Sequence, residues 1–300
     1  MVNRFPILIR LVTSAVVTVL FFGACEWALS HYGWSQLYEG DPGYDWRLKS
    51  NLDLERVPHV ERQGYFSVRT HDHGFRDGPL PTEGPWILAL GCSTTFGWGV
   101  ESEDTWPKML EDNLGIPVFN AGVPGHSSEQ GKHVADKLLE SGPTLAILGW
   151  GLRDAQKTTI PDVNRRPAAF PRNTAVYEWF SQRLRSPRIQ RGTTPRVSAD
   201  RFQENLEYVV SLATAKRIKI LLLDMTGRSE TPDHASVLHK VGPPVVIPQL
   251  SNSMVFEEDR IHLNAVGNRA LAQLLVPAVN AMMQPEQKAV PAEAEPKQIP

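Results

Sequence analysis

Between residues 84 and 283, short, mostly apolar runs alternate with stretches in which apolar residues recur every three or four positions. The runs are Trp86 to Gly91 (WILALG), Pro117 to Gly122 (PVFNAG), Thr144 to Trp150 (TLAILGW), Ile218 to Asp224 (IKILLLD) and Pro244 to Pro248 (PVVIP). Runs of this length and composition predict strands covered on both faces, the last one limited by prolines that donate no ladder hydrogen bond. The longer period predicts helices at about Glu103 to Leu114, Ser127 to Glu140, Ala199 to Lys216 and Ala265 to Met283. Strands alternating with helices define parallel βαβ units, so the pattern predicts an α/β fold: a three-layer α/β/α sandwich around a mainly parallel five-stranded sheet. No internal repeat is visible.

The two ends break this pattern. Arg4 and Arg10 precede an uncharged run from Leu11 to Cys25, and the apolar character continues past Glu26 through Trp27 to Leu29. Letting Arg10 snorkel brings the segment close to the roughly 20 residues that span a bilayer. Residues 1–30 therefore read as a membrane anchor or signal segment. The bulky Phe22 suits neither cleavage after Ala24 nor the lipoprotein-like Phe-Gly-Ala-Cys box that would lipidate Cys25, which favours an uncleaved anchor. Positive charge before the segment, with Glu26, Glu39 and Asp41 after it, predicts a cytoplasmic N-terminus and a periplasmic or extracellular body. Residues 31–83 form a lead-in segment. At the other end, 284–300 is rich in proline and alternating charge, with almost nothing to bury, and reads as a disordered tail.

Composition narrows the function by exclusion. With 31 basic against 33 acidic side chains the net charge is -2, so no global field attracts nucleic acid. The two cysteines, Cys25 and Cys92, are too few for a structural zinc site, and neither suggests disulfide chemistry. Charged residues make up 21% of the chain, ordinary for a soluble globular body, so at most one segment is membranous.

Open parallel sheets collect functional groups at the carboxyl ends of their strands. The first predicted strand runs into Gly91-Cys92-Ser93-Thr94-Thr95-Phe96-Gly97, which makes Ser93 a candidate nucleophile; a plain turn or cap serine is the alternative. Near the C-terminus, Asp259-Arg260-Ile261-His262-Leu263-Asn264 precedes a helical pattern that Asn264 can cap. A carboxylate three residues before a histidine can reach a ring nitrogen, fix the tautomer and leave the other nitrogen to take a proton from a serine. A solvated loop pair has the same spacing.

Taken together and in order, these segments resemble the SGNH hydrolases, the GDSL-like esterases and lipases. The Gly-Asp-Ser block is similar to Gly91-Cys92-Ser93, with Cys92 at the Asp position. The second block resembles Asn120-Ala121-Gly122-Val123-Pro124-Gly125, and the third, Gly-x-Asn-Asp, resembles Gly151-Leu152-Arg153-Asp154 with arginine for asparagine. The final Asp-x-x-His-Leu block matches Asp259 to Leu263, and Gly74-Phe75-Arg76-Asp77 looks like the lead-in of a membrane-anchored branch. The resemblance implies a flavodoxin-like sheet, Ser93 as nucleophile, His262 as general base and Asp259 as its orienting partner. It also implies an oxyanion hole from the amides of Ser93 and Gly122 and the side chain at position 153, here Arg153. No metal and no organic cofactor are required.

The function so implied is a serine-dependent ester hydrolase of esterase, lipase or carbohydrate-deacetylase type, acting through an acyl-enzyme on a carbohydrate or lipid ester. A sugar hydroxyl in place of water would make it an acyltransferase. A reading from another class, motivated by Cys92 and Arg153, is a lapsed domain that binds cell-envelope polysaccharide.

Other residues remain. Alternation at the strand end aims Cys92 away from Ser93, as a small buried hydrophobe. His71-Asp72-His73 lacks a third nearby ligand and reads as a polar turn. His126 is placed either on the cleft or on a loop surface. The connection 156–200 carries Arg165, Arg166, Arg172, Arg183, Arg185, Arg188, Arg191 and Arg196 with an apolar patch around Val176, Tyr177, Trp179, Phe180 and Leu184. It reads either as a basic lid favouring anionic ligands or as a solvated loop.

Overall fold

The computed structural model describes residues 5–32, 37–41, 43, 45–59, 64–76, 78–165, 174–177, 180, 192–226 and 232–284. Helix α1 (Phe5–Tyr32) leads into two antiparallel hairpins, β1 (Tyr38–Asp41) with β2 (Asp45–Leu48) and β3 (Asp53–Pro58) with β4 (Tyr65–Arg69). Next come β5 (Ile87–Gly91), the single turn α2 (Ser93–Phe96), α3 (Trp106–Leu114), β6 (Val118–Gly122), α4 (Ser128–Leu138) and β7 (Leu145–Gly149). A small ribbon of β8 (Lys157–Thr158) and β9 (Thr194–Pro195) precedes α5 (Ala199–Ala215), β10 (Lys219–Leu223), α6 (Pro232–Lys240), β11 (Val245–Val246) and α7 (Ala265–Met283).

Five strands form one sheet in the order β11-β10-β7-β5-β6, and every pairing is parallel. This is the flavodoxin-like order, with β5 and β7 flanking the point where the winding reverses. Strand residues alternate between two cores. Leu88, Leu90, Phe119, Ala146, Leu148 and Leu222 pack with Val134, Phe202, Leu206 and Val209 from α4 and α5. Ile87, Ala89, Val118, Ile147, Leu221 and Leu223 pack with Trp106 and Leu110 of α3 and Leu271 and Leu275 of α7. Both faces of the sheet are thus covered, which is why its strands carry so few polar residues. The predicted α/β three-layer sandwich is the fold observed. Pro244 and Pro248 leave β11 only two residues long.

Helix ends follow local chemistry. Thr105 caps α3, Ser127 and Gln130 close a capping box on α4, Ser198 caps α5, and Asn264 accepts the Gly267 amide at the start of α7. Asn268 in the first turn of α7 accepts the Trp106 amide (3.0 Å) and donates to the Leu263 carbonyl (3.0 Å), tying α7 to α3.

The hairpins of the lead-in form a third cluster, Leu37, Leu48, Val57, Phe66 and Val68, closed by Phe96 and Trp98 from the segment after β5. Fully buried Arg76 fastens the same junction. It donates to the carbonyls of Phe96 (2.9 Å), Gly97 (2.7 Å), Val100 (2.8 Å) and Ser67 (3.2 Å), with its guanidinium over the Phe96 ring. Asp77, its neighbour in the lead-in motif, lies outside the described residues.

Helix α1 is apolar and largely uncovered, with Leu11, Val16, Val19, Leu20 and Phe21 exposed. Its stretch Ile9–Ser30 is 22 residues long, about 33 Å at helical rise, and so long enough to cross a bilayer. At its far end Glu26 accepts the amides of Ala175 (2.7 Å) and Val176 (2.9 Å) from the connection between β8 and β9. Most of that connection, including Arg166, Arg172, Trp179, Arg183, Leu184, Arg185, Arg188 and Arg191, and the tail from residue 285, lie outside the described residues. The two arginines that are described share one carboxylate. Arg165 pairs with buried Asp162 (2.9 Å), and Arg196 pairs with the same carboxylate (2.7 Å) and with the Gly125 carbonyl (2.8 Å). They brace the loop, Arg196 from a buried position and Arg165 from a half-exposed one.

Candidate active site

Ser93, Arg153, Asp259 and His262 all sit past the carboxyl ends of the sheet strands or at the start of the helix that covers them. Ser93 is the first residue of α2, which starts directly from β5 with Cys92 as its N-terminal flank. An amide at that position has no acceptor within its own helix. The turn fits so closely on β6 because residue 122 is glycine: a Cβ there would approach the Phe96 amide nitrogen to 2.2 Å.

His262 lies 169 positions away in sequence, yet its Nε2 is 2.8 Å from Ser93 Oγ. Its Nδ1 is 2.8 Å from Asp259 Oδ2, and Asp259 Oδ1 accepts the amides of Ile261 (2.7 Å) and His262 (2.9 Å). Arg260 bridges the two in the left-handed region at φ 55°, which lets the chain turn tightly enough for the carboxylate to reach back. Burial pushes the Asp259 carboxyl up, but the hydrogen bonds from the His262 ring and the two amides outweigh it and hold it at about 2. Both side chains are 4% exposed, so the solvated-pair alternative does not describe them. A carboxylate that stays charged fixes Nδ1–H toward itself and leaves Nε2 as the acceptor facing the serine, an arrangement able to deprotonate Oγ.

The third block delivers Arg153 toward the same oxygen. Its Nη2 is 3.5 Å from Ser93 Oγ, the outer limit of a hydrogen bond, while Nη1 donates to Gln156 Oε1 (3.1 Å). Its neighbour Asp154 is fully buried and accepts the Ser128 amide (2.9 Å), the Ser128 hydroxyl (2.5 Å) and the Gly151 amide (3.0 Å), which fixes the loop after β7. Burial raises the Asp154 pKa against those bonds.

Gly122 behaves differently from the expectation drawn for it. Its amide donates to Asn120 Oδ1 (3.1 Å) two residues back in β6, so in the structure this N–H is satisfied within the protein. The glycine is required for the close contact with α2. His126 is also neither on the cleft nor on the surface. It is buried, its Nε2 contacts the Trp46 carbonyl (2.9 Å), its ring meets Trp46 edge-on, and burial lowers its pKa to about 4. Cys92 is buried, with Sγ 3.3 Å from Thr94 Oγ1. His71, Asp72 and His73 lie in an exposed turn, and among the described residues no His, Cys, Asp and Glu side chains cluster as metal ligands.

A cavity of about 290 Å³ lies between the lead-in and α4, bounded by Arg47, Phe75, Val123, His126 and Lys137. None of Ser93, Arg153, Asp259 or His262 lines it, so the constellation is defined by its hydrogen bonds and not by this cavity.

One neighbour of the constellation has no signal in the sequence. His59, at the end of β3, is buried with its Nε2 3.9 Å from Asp259 Oδ2. No spacing or motif marks it, because it comes from a hairpin distant in the chain.

No protein-family model matches the chain, and no curated protein matches it. Among solved structures it is similar to a psychrotrophic esterase from Pseudoalteromonas sp. at 16% identity and TM-score 0.46, covering 66% of this chain and 98% of that one. It is also similar to a GDSL-like lipase from Bacteroides thetaiotaomicron at 15% identity and TM-score 0.45, covering 67% and 92%. A carbohydrate esterase family 2 enzyme with a carbohydrate-binding domain from Corynascus thermopiles aligns at 13% identity and TM-score 0.45, covering 70% and 69%. These likenesses do not bear on the chemistry, which rests on the distances above.

Proposed function

We propose that the chain is a serine-dependent ester hydrolase that works through an acyl-enzyme. The supporting observation is the unbroken line from Ser93 Oγ to His262 Nε2 and from Nδ1 to Asp259 Oδ2, both contacts at 2.8 Å. In the first half-reaction Oγ attacks the acyl carbon while His262 Nε2 takes its proton, giving a tetrahedral oxyanion and an imidazolium held by Asp259. The Ser93 amide and the Arg153 guanidinium are the donors nearest to where negative charge develops. Collapse breaks the bond to the alcohol oxygen, which leaves with the proton from Nε2. Water, or the hydroxyl of an acceptor, then repeats the sequence in reverse and frees Ser93.

The substrate class we favour is an ester of carbohydrate or lipid, met outside the cytoplasm by a body anchored through α1. The apolar surface and length of that helix support the anchor, and Arg4 and Arg10 at its N-terminal end support a cytoplasmic N-terminus. The test is labelling of the full chain in native membranes with a fluorophosphonate. The expected result is one modified residue, Ser93, in the membrane fraction, protected from nothing applied outside. Absence of labelling under conditions that modify a control serine esterase overturns the hydrolase reading; a labelled protein that is soluble overturns the anchor. Product analysis on acetylated sugars, with and without an acceptor sugar, separates hydrolysis from transfer.

A further inference from the structure

The proposed hydrolase reaction uses one face of Asp259, and a second imidazole stands at the same oxygen. Oδ1 is filled by two amides, whereas Oδ2 faces His262 Nδ1 at 2.8 Å and His59 Nε2 at 3.9 Å. The His59 side chain has no exposed surface, and the Asp259 side chain is 4% exposed. Its ring is caught between elements of different origin. Phe256 meets it edge-on with centroids 5.1 Å apart, Trp98 lies at 6.4 Å, and His262 lies at 6.4 Å with the rings at 85°. Gly99, at φ 88°, presses against it so closely that a Cβ would reach its Cδ2 at 2.4 Å. The backbone amide of His59 donates to the Gly64 carbonyl (3.1 Å) as the β3–β4 hairpin begins to open. Two independent pieces of the chain therefore converge to hold one imidazole edge against the carboxylate.

We propose that His59 is a positioning residue of the serine relay: its polar edge closes the second side of Asp259 Oδ2 and keeps the carboxylate turned toward His262. The inference rests on the hydrolase reading, since it assigns a task only if His262 acts as a base. The physical reason is the loop between the two partners. Asp259 sits one residue before a left-handed arginine, so a small rotation of its side chain moves Oδ2 off Nδ1, and misplacement on the order of 1 Å at a reacting group loses about a hundredfold in rate. An apolar wall would also leave a carboxylate facing hydrocarbon, whereas an imidazole edge offers a dipole or a hydrogen bond. The lead-in thereby becomes part of the reactive centre.

The test compares His59→Phe, which preserves an aromatic ring of similar shape without its nitrogens, with His59→Gln, which restores a polar group. Two readouts are used on the full chain in detergent or nanodiscs. One is the steady-state turnover of a neutral aryl ester. The other is the proton NMR signal of His262 Nδ1–H, which needs no turnover. His59→Phe is expected to lower kcat by about tenfold to a hundredfold at unchanged KM and to shift or broaden the Nδ1–H resonance, with His59→Gln within about threefold of wild type. A wild-type resonance and rate in His59→Phe overturn the proposal, as does a His59→Gln protein impaired as deeply as His59→Phe. If the phenylalanine variant does not fold, His59→Met enters the same comparison in its place. An inert wild type sinks the hydrolase reading alone, because the Nδ1–H signal still reports whether His59 orders the Asp259–His262 pair.

Discussion

Ser93 is approached from two sides that are held in opposite ways. On the side of α7, His262 and Asp259 are buried, joined by short bonds, and set into a loop in which the amides of Ile261 and His262 both point at the Asp259 carboxylate. On the side of β7, Arg153 reaches the serine with one nitrogen at 3.5 Å and rests another on the exposed loop at Gln156. The first arrangement is preorganised, so little reorganises when charge moves. The second is adjustable. A long, partly exposed guanidinium can follow a substrate group, but it holds the developing charge less rigidly than a short amide would. The comparison predicts that damage to the two sides has different size and character.

The largest effect is expected on the rigid side. Ser93→Ala and His262→Ala each should lower kcat for a short-chain aryl ester by three or more powers of ten, about 4 kcal/mol, with circular dichroism and melting temperature unchanged. Turnover surviving in purified Ser93→Ala protein overturns the assignment. Removing the support beneath that side comes next. Arg76→Ala removes the guanidinium from four carbonyls at a buried junction, and urea unfolding should show a loss of about 3 kcal/mol or more. Lysine should not rescue it, since an ammonium cannot spread over four acceptors as the guanidinium does.

Acid should weaken the lead-in junction before it reaches the relay. His126, held neutral by burial with a pKa of about 4, binds its proton in the unfolded chain at an ordinary value of 6.5. Its contribution is therefore full above 6.5 and lost as pH falls from 6.5 toward 4, by roughly 3 kcal/mol at most. Asp259, depressed to about 2 from 3.8, adds its own loss only below that window. Denaturation at pH 7 and 4.5 should show a slope in the wild type that is reduced in His126→Gln. The smallest effect is expected on the adjustable side. Arg153→Ala should lower kcat/KM by about tenfold to a hundredfold, with stability unchanged, and Arg153→Asn should recover part of it. Loss in kcat alone indicates a role at the oxyanion; a raised KM confined to anionic esters indicates substrate recognition. An unchanged alanine variant removes Arg153 from the chemistry.

What the sequence reveals and what it hides follow one physical line. Strands buried on both faces need uninterrupted apolar runs, so WILALG, TLAILGW and IKILLLD announce their positions to within a residue of Ile87–Gly91, Leu145–Gly149 and Lys219–Leu223. Helices with one buried face show their period, as in Ala265–Met283. The hairpins of the lead-in are short, half exposed and mixed in composition, and no period marks them. Ser93, Asp259 and His262 carry local motifs, whereas His59 and the bracing by Arg76 depend on contacts between distant segments. For Gly122, local sequence identified a glycine at a strand end but not that Asn120 takes its amide.

The bond between Asn268 and the Trp106 amide ties the final long helix to the first one after Ser93. The loop bearing His262 is seated by that helix, far along the chain from Ser93. A partly made chain that has formed the β5–α2 turn therefore lacks the imidazole beside Ser93 Oγ until the segment around His262 joins the fold. On the proposed reading, reactivity arrives as a late step of assembly, when residues 169 positions apart first meet.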